Sequence, residues 1–503
     1  MSLPDWLEPL YDGTQMRAID AWAIERQGVP SLELMERAGE GLAALASELA
    51  PSGEIAIVAG KGNNAGDGFV AARLLAAAGR EVSVLMAGDG AALSGDAAVN
   101  FARLAEGIVR PLADGIPAAA ALVVDAVLGT GASGEPRGEA LAAIEAIRDS
   151  RVAVLAADVP SGVDASSGET PGAAVCAAAT ATFHAAKLGL RVEPGRSCSG
   201  RVSVVDIGMP AGAPVAARAG LISDSVLGLV PHRGVHSTKF SSGRVLVAGG
   251  SAGLTGAPSL AALAAARAGA GYVTACVPAS LSLVFESRLL EAMTIALPDL
   301  DGAHTPEGVA GLIEAASARG GALVLGPGLG RSDGAAEFAR RVLEGVEVPV
   351  VLDADGLNAF AGAIDALGGN ASVLTPHEGE LARLLGLASS EAVAAARVAH
   401  ARDAASRAQA VVVLKGDDTL VADPGGLVAV SGGASPALAT AGTGDVLAGV
   451  IGAMLAKGLE PFAAACAGVR LHALAGIRAG AARGVDSVIA SDVVEELGAV
   501  LRS

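Results

Sequence analysis

The stretch Ile55-Ala-Ile-Val-Ala-Gly-Lys-Gly-Asn-Asn-Ala-Gly-Asp-Gly68 joins an apolar run to a series of small and polar residues. A short apolar run that ends in glycines is typical of a buried strand, and the alanine- and leucine-rich residues 69–78 are typical of a helix. Strand, glycine-rich loop and helix, in that order, form the repeating unit of parallel sheets. The stretch therefore predicts an α/β domain with a mainly parallel sheet.

The same pattern recurs along the first half of the chain, where further apolar runs end in polar residues. The carboxyl ends of parallel strands meet in one crevice, so we expect the polar residues that follow them to lie together. Asn and Asp at strand ends also form turns, and any one of these residues could have only that role. The expected set is Asn63, Asn64, Asp67, Asp125, Asp158 and Ser161.

A segment of small residues with Pro and Gly, residues 210–220, separates this half from a second series of strands and loops. It predicts a linker, and hence two α/β domains that comprise residues 1–220 and 221–503. The glycine loops of the two halves differ, and no internal repeat is evident. In the second half, polar loops follow apolar runs at residues 249–257, 326–330, 353–358, 375–380 and 415–419.

The segment Gly442-Thr-Gly-Asp445 precedes an apolar helix in the second half. Bare backbone N–H groups and a helix N-terminus can hold an anion there. Asp445 could cap the helix, bind a metal or accept a proton from a hydroxyl. Lys415, at the end of an apolar run, suits a nucleotide phosphate. His377 could belong to a solvated turn, and Asp353 and Asp355 could form a turn or face a magnesium ion.

Composition excludes several classes of protein. A net charge of −18 over 503 residues argues against a nucleic-acid surface. The sequence offers no membrane-spanning run and no secretory leader, so a cytoplasmic protein is expected. The four cysteines, Cys176, Cys198, Cys276 and Cys466, show no zinc-binding spacing and are interpreted as free or buried thiols.

Residues 14–210 resemble the N-terminal domain of the YjeF family, the NAD(P)H-hydrate epimerase. The matching segments are residues 35–39, 60–68, 125–131, 158–164 and 182–187, with Ala65 and Ala186 where the family usually has glycine and proline. The resemblance implies a Rossmann-like fold, Asp158 as catalytic carboxylate, and K⁺ bound by Asn64, Asp125 and Ser161. It also implies that the hydrated dinucleotide contacts Asn63, Asn64, Ala65, Gly66, Asp67, Gly129, Thr130, Gly131, Ala132, Ser133, Gly134, Glu135 and Asp158. Lys187 could anchor a phosphate or only extend its charged end to solvent.

Residues of roughly 235–500 resemble the YjeF C-terminal domain, an ADP- or ATP-dependent NAD(P)H-hydrate dehydratase of ribokinase-like fold. The resemblance rests on the ordered set of residues 255–257, 326–330, 353–358, 375–380, 415–416 and 442–445. It implies that Asp445 is catalytic and that Ala257, Gly328, His377 and Asp445 border the hydrated dinucleotide. The adenine nucleotide would be bordered by Lys415, Gly416, Asp417, Asp418, Thr419, Ser435, Ala441, Gly442, Thr443 and Gly444.

Together the two resemblances imply repair of hydrated nicotinamide dinucleotides. The first domain would interconvert the R and S epimers of NADH hydrate or NADPH hydrate. The second would phosphorylate the hydroxyl of the S form with ADP and Mg²⁺, so that phosphate leaves. The family also suggests a homo-oligomer. Two alternatives remain at this stage: a ribokinase-like kinase of a vitamin precursor, and a first domain that only binds ligands or acts as a scaffold.

Overall fold

The computed structural model describes residues 3–502, so Met1, Ser2 and Ser503 of the expected domains lie outside it. Its chain divides into two compact units, with the main division between Gly220 and Leu221. No helix among residues 3–502 combines the length and apolar character needed to cross a membrane. The two units are described separately below.

The first residues depart from the expected division, since Pro4–Glu8 groups with the second unit rather than the first. Strand β1 (Leu7–Leu10) is at one end of the second unit's sheet, beside β9 (Ala219–Ile222). The carbonyl of Trp6 accepts hydrogen bonds from the backbone N–H of Ser223, at 3.1 Å, and from its hydroxyl, at 2.9 Å. The Trp6 ring also packs on Phe462, with 5.9 Å between the centroids. Sequence reasoning missed this segment because nothing local marks its partner.

The first unit is built on a seven-stranded sheet in the order β4-β3-β2-β5-β6-β7-β8, and each of its strand pairs is parallel. The strand order reverses between β2 and β5, so the loops after these two strands border a crevice at the carboxyl edge. Its strands are β2 (Glu54–Ala59), β3 (Val82–Met86), β4 (Val109–Pro111), β5 (Ala120–Ala126), β6 (Val154–Ala157), β7 (Ala179–Phe183) and β8 (Arg201–Val205).

The helix after β2 begins earlier than predicted, at Asn63 instead of Phe69, so most of the expected glycine loop is helical. Its glycines permit close packing: a Cβ on Gly66 would lie 2.5 Å from Sδ of Met35, and one on Gly68 would lie 2.8 Å from Cβ of Ala126. The helices of this unit are α1 (Gly13–Glu25), α2 (Ser31–Leu49), α3 (Asn63–Ala77), α4 (Gly95–Phe101), α5 (Gly138–Ser150) and α6 (Gly195–Ser199).

The second unit contains an eleven-stranded sheet in the order β1-β9-β20-β19-β18-β17-β16-β15-β10-β11-β12. The strands from β10 to β18 in this sheet pair in parallel, and β18, β19 and β20 pair antiparallel. The strand order reverses between β15 and β10, which marks a second crevice. The remaining strands are β10 (Arg244–Ala248), β11 (Tyr272–Pro278), β12 (Met293–Leu297), β13 (Asp299–Leu300), β14 (Ala303–His304), β15 (Ala322–Leu325), β16 (Val350–Leu352), β17 (Val373–Leu374), β18 (Val411–Leu414), β19 (Leu420–Ala422) and β20 (Val428–Val430).

The helices of the second unit are α7 (Gly256–Arg267), α8 (Ser282–Arg288), α9 (Val309–Ser317), α10 (Asp333–Gly345), α11 (Asp355–Asn358), α12 (Glu378–Leu385), α13 (Ser390–Ala395), α14 (Arg397–Ala408), α15 (Thr443–Ala456), α16 (Pro461–Arg483) and α17 (Ala490–Val500). Helix α15 packs closely on α7, because a Cβ on Gly449 would lie 2.1 Å from the carbonyl oxygen of Ala261. The Gly442–Asp445 segment thus begins a helix buried against its neighbour.

Candidate active sites

A cavity of about 650 Å³ opens at the strand-order reversal of the first unit. Its floor comes from the loops after β2 and β5, and α1 and α2 supply part of its wall. Eight of the residues predicted to bind substrate line it: Asn63, Asn64, Asp67, Gly129, Thr130, Gly131, Ala132 and Asp158. This volume lies in the range of small-molecule sites.

Asp158 is held at the cavity by a dense set of donors. Nζ of Lys187 lies 2.6 Å from its Oδ1, and the backbone N–H of Thr130 donates to its Oδ2 at 3.2 Å. The Thr130 hydroxyl also donates to that oxygen. Asp158 has a φ of +61°, a left-handed conformation that Asp adopts more readily than most side chains. The backbone and the donors together fix where the carboxylate points.

Lys187 is buried, with 1% of the residue exposed. Its ammonium contacts Asp158, the Thr182 hydroxyl at 2.9 Å and the Phe183 carbonyl at 2.8 Å. Three acceptors therefore face an ammonium that has three N–H donors. The sequence left Lys187 unassigned, and the structure places it beside the predicted catalytic carboxylate.

The carboxylates of this cavity differ in their tendency to hold a proton. Burial alone would raise the pKa of Asp158, but the Lys187 charge and the hydrogen bonds outweigh it, and the pKa lies below its ordinary value. Burial, with Asp158 and Asp20 nearby, raises the pKa of Asp67 well above its ordinary value. Burial also raises the pKa of Asp20 to about 6. Asp20, on α1, was not predicted, since it lies outside the strand-end loops.

Asn64, Asp125 and Ser161 converge beneath the cavity, around the backbone of Leu128. The Leu128 carbonyl accepts from Nδ2 of Asn64 at 2.8 Å, and its N–H donates to the Ser161 hydroxyl at 2.9 Å. The Ser161 hydroxyl in turn donates to Oδ1 of Asp125 at 2.6 Å, and the Ser161 backbone N–H donates to Oδ2 at 2.8 Å. Among residues 3–502, Oδ1 of Asn64 is one of the few buried polar atoms without a hydrogen-bond partner. Such an oxygen suits a cation, so the donor set fits a potassium ion.

Five of the predicted substrate residues do not line the cavity. Ala65 and Gly66 are buried within α3, and a Cβ on Gly66 would lie 2.5 Å from Sδ of Met35 on α2. Among the described residues, neither Ala65 nor Ala186 has a positive φ, so both alanines are accommodated without backbone strain. Ser133, Gly134 and Glu135 are exposed on the loop after β5.

The second unit gathers polar and charged residues from three strand ends and one helix start. Nζ of Lys415, after β18, lies 3.0 Å from Oδ1 of Asp353, after β16, and 3.6 Å from Oε2 of Glu380. The Thr375 hydroxyl, after β17, donates to the same Asp353 oxygen at 2.7 Å. A Cβ on Gly444 would lie 3.5 Å from the Lys415 ammonium, which places the start of α15 at this cluster.

Asp445 stands in the first turn of α15, among these charges. Burial raises its pKa to about 7, and the negative charges of Asp353, Glu380 and Asp355 add to the shift, while Lys415 opposes it. Asp445 therefore exchanges its proton near neutral pH. A carboxylate of that kind is suited to accept a proton from a hydroxyl.

His377 and Gly328 also border this crevice. His377 caps α12: its Nδ1 accepts from the Gly379 N–H at 3.0 Å, and its own N–H donates to Glu380 at 2.9 Å. Burial lowers the pKa of His377. Gly328 has a φ of +60°, and a Cβ there would lie 3.3 Å from Cβ of Ala257. The predicted substrate positions 257 and 328 are thus neighbours.

The predicted nucleotide residues divide into two groups. Lys415, Gly416, Asp417, Ser435, Ala441, Gly442 and Gly444 are at least partly accessible. Asp418 is 1% exposed and pairs with Arg397 at 2.8 Å, so its carboxylate holds the loop. The Thr443 hydroxyl donates to the carbonyls of Leu438 and Thr440, and that of Thr419 to the carbonyl of Gly416. Asp418, Thr419 and Thr443 therefore shape the loops with their side chains.

Comparison with known proteins covers both units. The family described as YjeF-related protein N-terminus matches residues 31–189, and the family described as NAD(P)H-hydrate dehydratase matches residues 245–498. The chain is 40% identical to the bifunctional NAD(P)H-hydrate repair enzyme Nnr of Salinibacter ruber, over 97% of this chain and 95% of that protein.

The chain belongs to the bifunctional NAD(P)H-hydrate repair enzyme family. The Nnr of Moorella thermoacetica is 38% identical, over 98% of this chain and 97% of its own length. A solved structure, the ADP/ATP-dependent NAD(P)H-hydrate dehydratase of Bacillus subtilis co-crystallized with ATP/Mg²⁺, covers 56% of this chain and 97% of its own, at 28% identity and a TM-score of 0.47. The family assignment confirms the prediction of a parallel-sheet domain followed by a ribokinase-like domain.

Proposed function

We propose that this chain repairs NAD(P)H hydrates in two steps, epimerisation in the first unit and nucleotide-dependent dehydration in the second. Near-complete coverage by relatives named for this repair is the observation that carries the proposal. The placement of Asp158 in the cavity of the first unit, and of Asp445 in the charged cluster at the start of α15, supports it further.

In the first unit, we assign proton transfer at the hydrated ring to Asp158. Its low pKa keeps the carboxylate ionised, so it can accept a proton at neutral pH. The pKa of Asp67 is raised well above its ordinary value, mainly by burial, so Asp67 holds a proton more readily than Asp158. Two carboxyl groups whose pKa values are shifted in opposite directions are suited to the loss and return of a ring hydroxyl. Asn64, Asp125 and Ser161 would hold K⁺, which would supply positive charge beneath the substrate.

In the second unit, the C6 hydroxyl must be converted into a better leaving group, because hydroxide leaves poorly. Asp445 would accept the hydroxyl proton as the terminal phosphoryl group of ADP is transferred. The N–H groups of residues 442–444 would stabilise the charge on that group, and Lys415 would contact the nucleotide phosphates. Mg²⁺ brought with the nucleotide would neutralise its phosphates. Phosphate then departs from C6 while a proton leaves C5, which restores the ring double bond, and AMP remains.

The decisive assay combines the purified chain with NADH hydrate, ADP and Mg²⁺ and follows the recovery of NADH absorbance. We expect complete recovery from a mixture of both epimers. Parallel reactions with ATP in place of ADP show which of the two nucleotides supports dehydration. If the absorbance does not recover while a vitamin-precursor alcohol is phosphorylated, the small-molecule kinase alternative replaces this proposal.

The potassium site has its own test. Exchange of K⁺ for tetramethylammonium should slow R-to-S interconversion on the order of tenfold, the scale of effects at disturbed metal sites. Dehydration of pure S epimer by the same sample is the internal control for a general effect of the salt. Equal interconversion rates in the two salts would exclude a functional K⁺ at Asn64, Asp125 and Ser161. We also propose, from the family resemblance, that the chain forms a homo-oligomer, which light scattering can measure.

A further inference from the structure

Two cysteines that are distant in sequence meet in the first unit. Sγ of Cys176 lies 2.8 Å from Sγ of Cys198, so no other atom stands between them. Cys176 is exposed, whereas Cys198 is 9% exposed. Disulfide formation would require the two sulfurs to approach by only about 0.75 Å, to a bond length of about 2.05 Å.

The segments that carry these cysteines are already held together by the backbone. The N–H of Ala177 donates to the carbonyl of Cys198 at 2.8 Å, one residue away from Cys176. Cys198 lies in α6, and its side chain belongs to the same apolar cluster as Val159 and Val163. The cysteines are thus brought together by backbone hydrogen bonding and apolar packing within the fold.

We propose that Cys176 and Cys198 form an oxidisable dithiol, a modification site whose co-reactant is a hydroperoxide. The exposed Cys176 attacks the peroxide oxygen as a thiolate, which gives a sulfenic acid and hydroxide. The Cys198 thiol then displaces hydroxide from that sulfur and forms the S–S bond, with release of water. Two thiols and one H₂O₂ thus give one disulfide and two waters.

The surroundings favour the order of these steps. An oxidant reaches Cys176 first, because Cys198 lies beneath it. Burial raises the pKa of Cys198 to about 12, which makes it the resolving thiol rather than the first nucleophile. Arg148 faces the Cys198 sulfur with positive charge and Glu193 with negative charge. The remaining cysteines, Cys276 and Cys466, are fully buried and stay reduced in this scheme.

The bond would close a loop next to the first active site. The N–H of Val175 donates to the carbonyl of Ser161 at 2.8 Å, so the residue before Cys176 supports the turn that follows Asp158. Linking residues 176 and 198 would remove conformational freedom mainly from the unfolded chain. We expect the unfolding midpoint of the first unit to rise by about 5–10 °C on oxidation.

The test treats the full-length protein with hydrogen peroxide, followed by non-reducing trypsin digestion and mass spectrometry. We expect residues 152–187 and 197–201, the tryptic peptides that carry the two cysteines, to appear as one linked species that dithiothreitol separates. Cys176→Ser should lack both the linked species and the rise in the unfolding midpoint. Cys276→Ala is the matched control and should behave as the parent.

Three results would overturn the proposal. These are oxidation of Cys176 to a sulfinic acid without a link to residue 198, a disulfide between two chains, and a lower unfolding midpoint after the link has formed. Cys198→Ala supplies an independent check if Cys176→Ser folds poorly, because it too should prevent the linked species. None of these readouts depends on turnover, so the proposal stands or falls separately from the enzymatic function.

Discussion

The two units each place one aspartate at their candidate site, but they surround it with opposite charge. Asp158 contacts the buried ammonium of Lys187, and its pKa lies below the ordinary value. Asp445 is buried among Asp353, Glu380 and Asp355, with Lys415 as the opposing charge, and its pKa is about 7. One side chain type therefore has two proton affinities within a single chain.

The difference shows that the charges of the neighbouring groups decide whether such a carboxylate is ionised at neutral pH. Asp158 is ionised throughout the neutral range, so its reaction should depend little on pH there. Asp445 changes charge within that range, so its reaction should depend strongly on pH. Four experiments test this comparison.

The largest effect should come from removing one carboxylate at a time. Asp445→Asn should lower dehydration by about 10²–10⁴-fold, because the hydroxyl loses its proton acceptor. Asp158→Asn should lower R-to-S exchange by a similar factor. Each variant serves as the control for the other, since it should retain the activity of the unaltered unit. Exchange is measured by NMR without ADP, and dehydration by NADH absorbance with pure S epimer.

A smaller effect is expected when Asp158 is kept and its partner Lys187 is replaced. Lys187→Met should raise the pKa of Asp158, and the acid limb of the epimerisation profile should move up by roughly 1–3 pH units. Arg201→Met, which removes the cation of an exposed ion pair with Glu48, is the matched control and should leave the profile unchanged. A lower rate with an unshifted profile would show that Lys187 only supports the fold.

In the parent protein, the rates of the two reactions should depend differently on pH. Asp445 must be deprotonated to accept a proton, and with a pKa of about 7 its ionised fraction rises about tenfold from pH 6 to pH 8. Dehydration at limiting substrate should rise with it and then level off. Epimerisation should change less over the same interval, because Asp158 is ionised throughout it. A flat dehydration profile would mean that Asp445 is not the titrating base.

The smallest effect concerns stability. The folded chain retains the Asp445 proton up to about pH 7, whereas the unfolded chain loses it near pH 4, so stability falls as pH rises between these values. Asp445→Asn avoids this loss and should raise the unfolding midpoint at pH 8 by about 2–4 °C. At pH 3.5 the gain should vanish. An equal gain at both values would indicate a packing effect.

The sequence was a reliable guide to the elements that follow local rules. Pattern and resemblance gave access to the apolar runs of the parallel strands, the loop at residues 415–419, the helix start at residues 442–445 and the order of the two domains. The start of α3 was not, because glycine suggests a loop and only the tertiary contact with Met35 explains why Gly66 is helical. Strand β1 was missed for a similar reason, since its partners lie far along the chain.

The candidate sites likewise contain residues whose roles depend on tertiary contacts. Asp158 stands out as a polar residue after an apolar run and Asp445 as one just before an apolar run, whereas Asp20 lies on a helix and only the fold brings it to the cavity. The role of Lys187 beside Asp158 depends on a contact of 2.6 Å that no spacing encodes. Asp418 carries the right residue type for a ligand, yet it forms a buried pair with Arg397. Such distinctions depend on side-chain direction, which sequence patterns do not contain.

The left-handed backbone of Asp158 affects how the results of a substitution survey at this position are interpreted. Asn and Asp tolerate a φ of +61° better than other residues with side chains, whereas β-branched residues are strongly disfavoured there. Most replacements would therefore be depleted in a selection for folded protein alone, before chemistry is tested. Loss of function on replacement of residue 158 therefore has two separate causes, the left-handed backbone and the missing carboxylate. Asparagine is the replacement that separates them, because it meets the conformational demand while it lacks the charge.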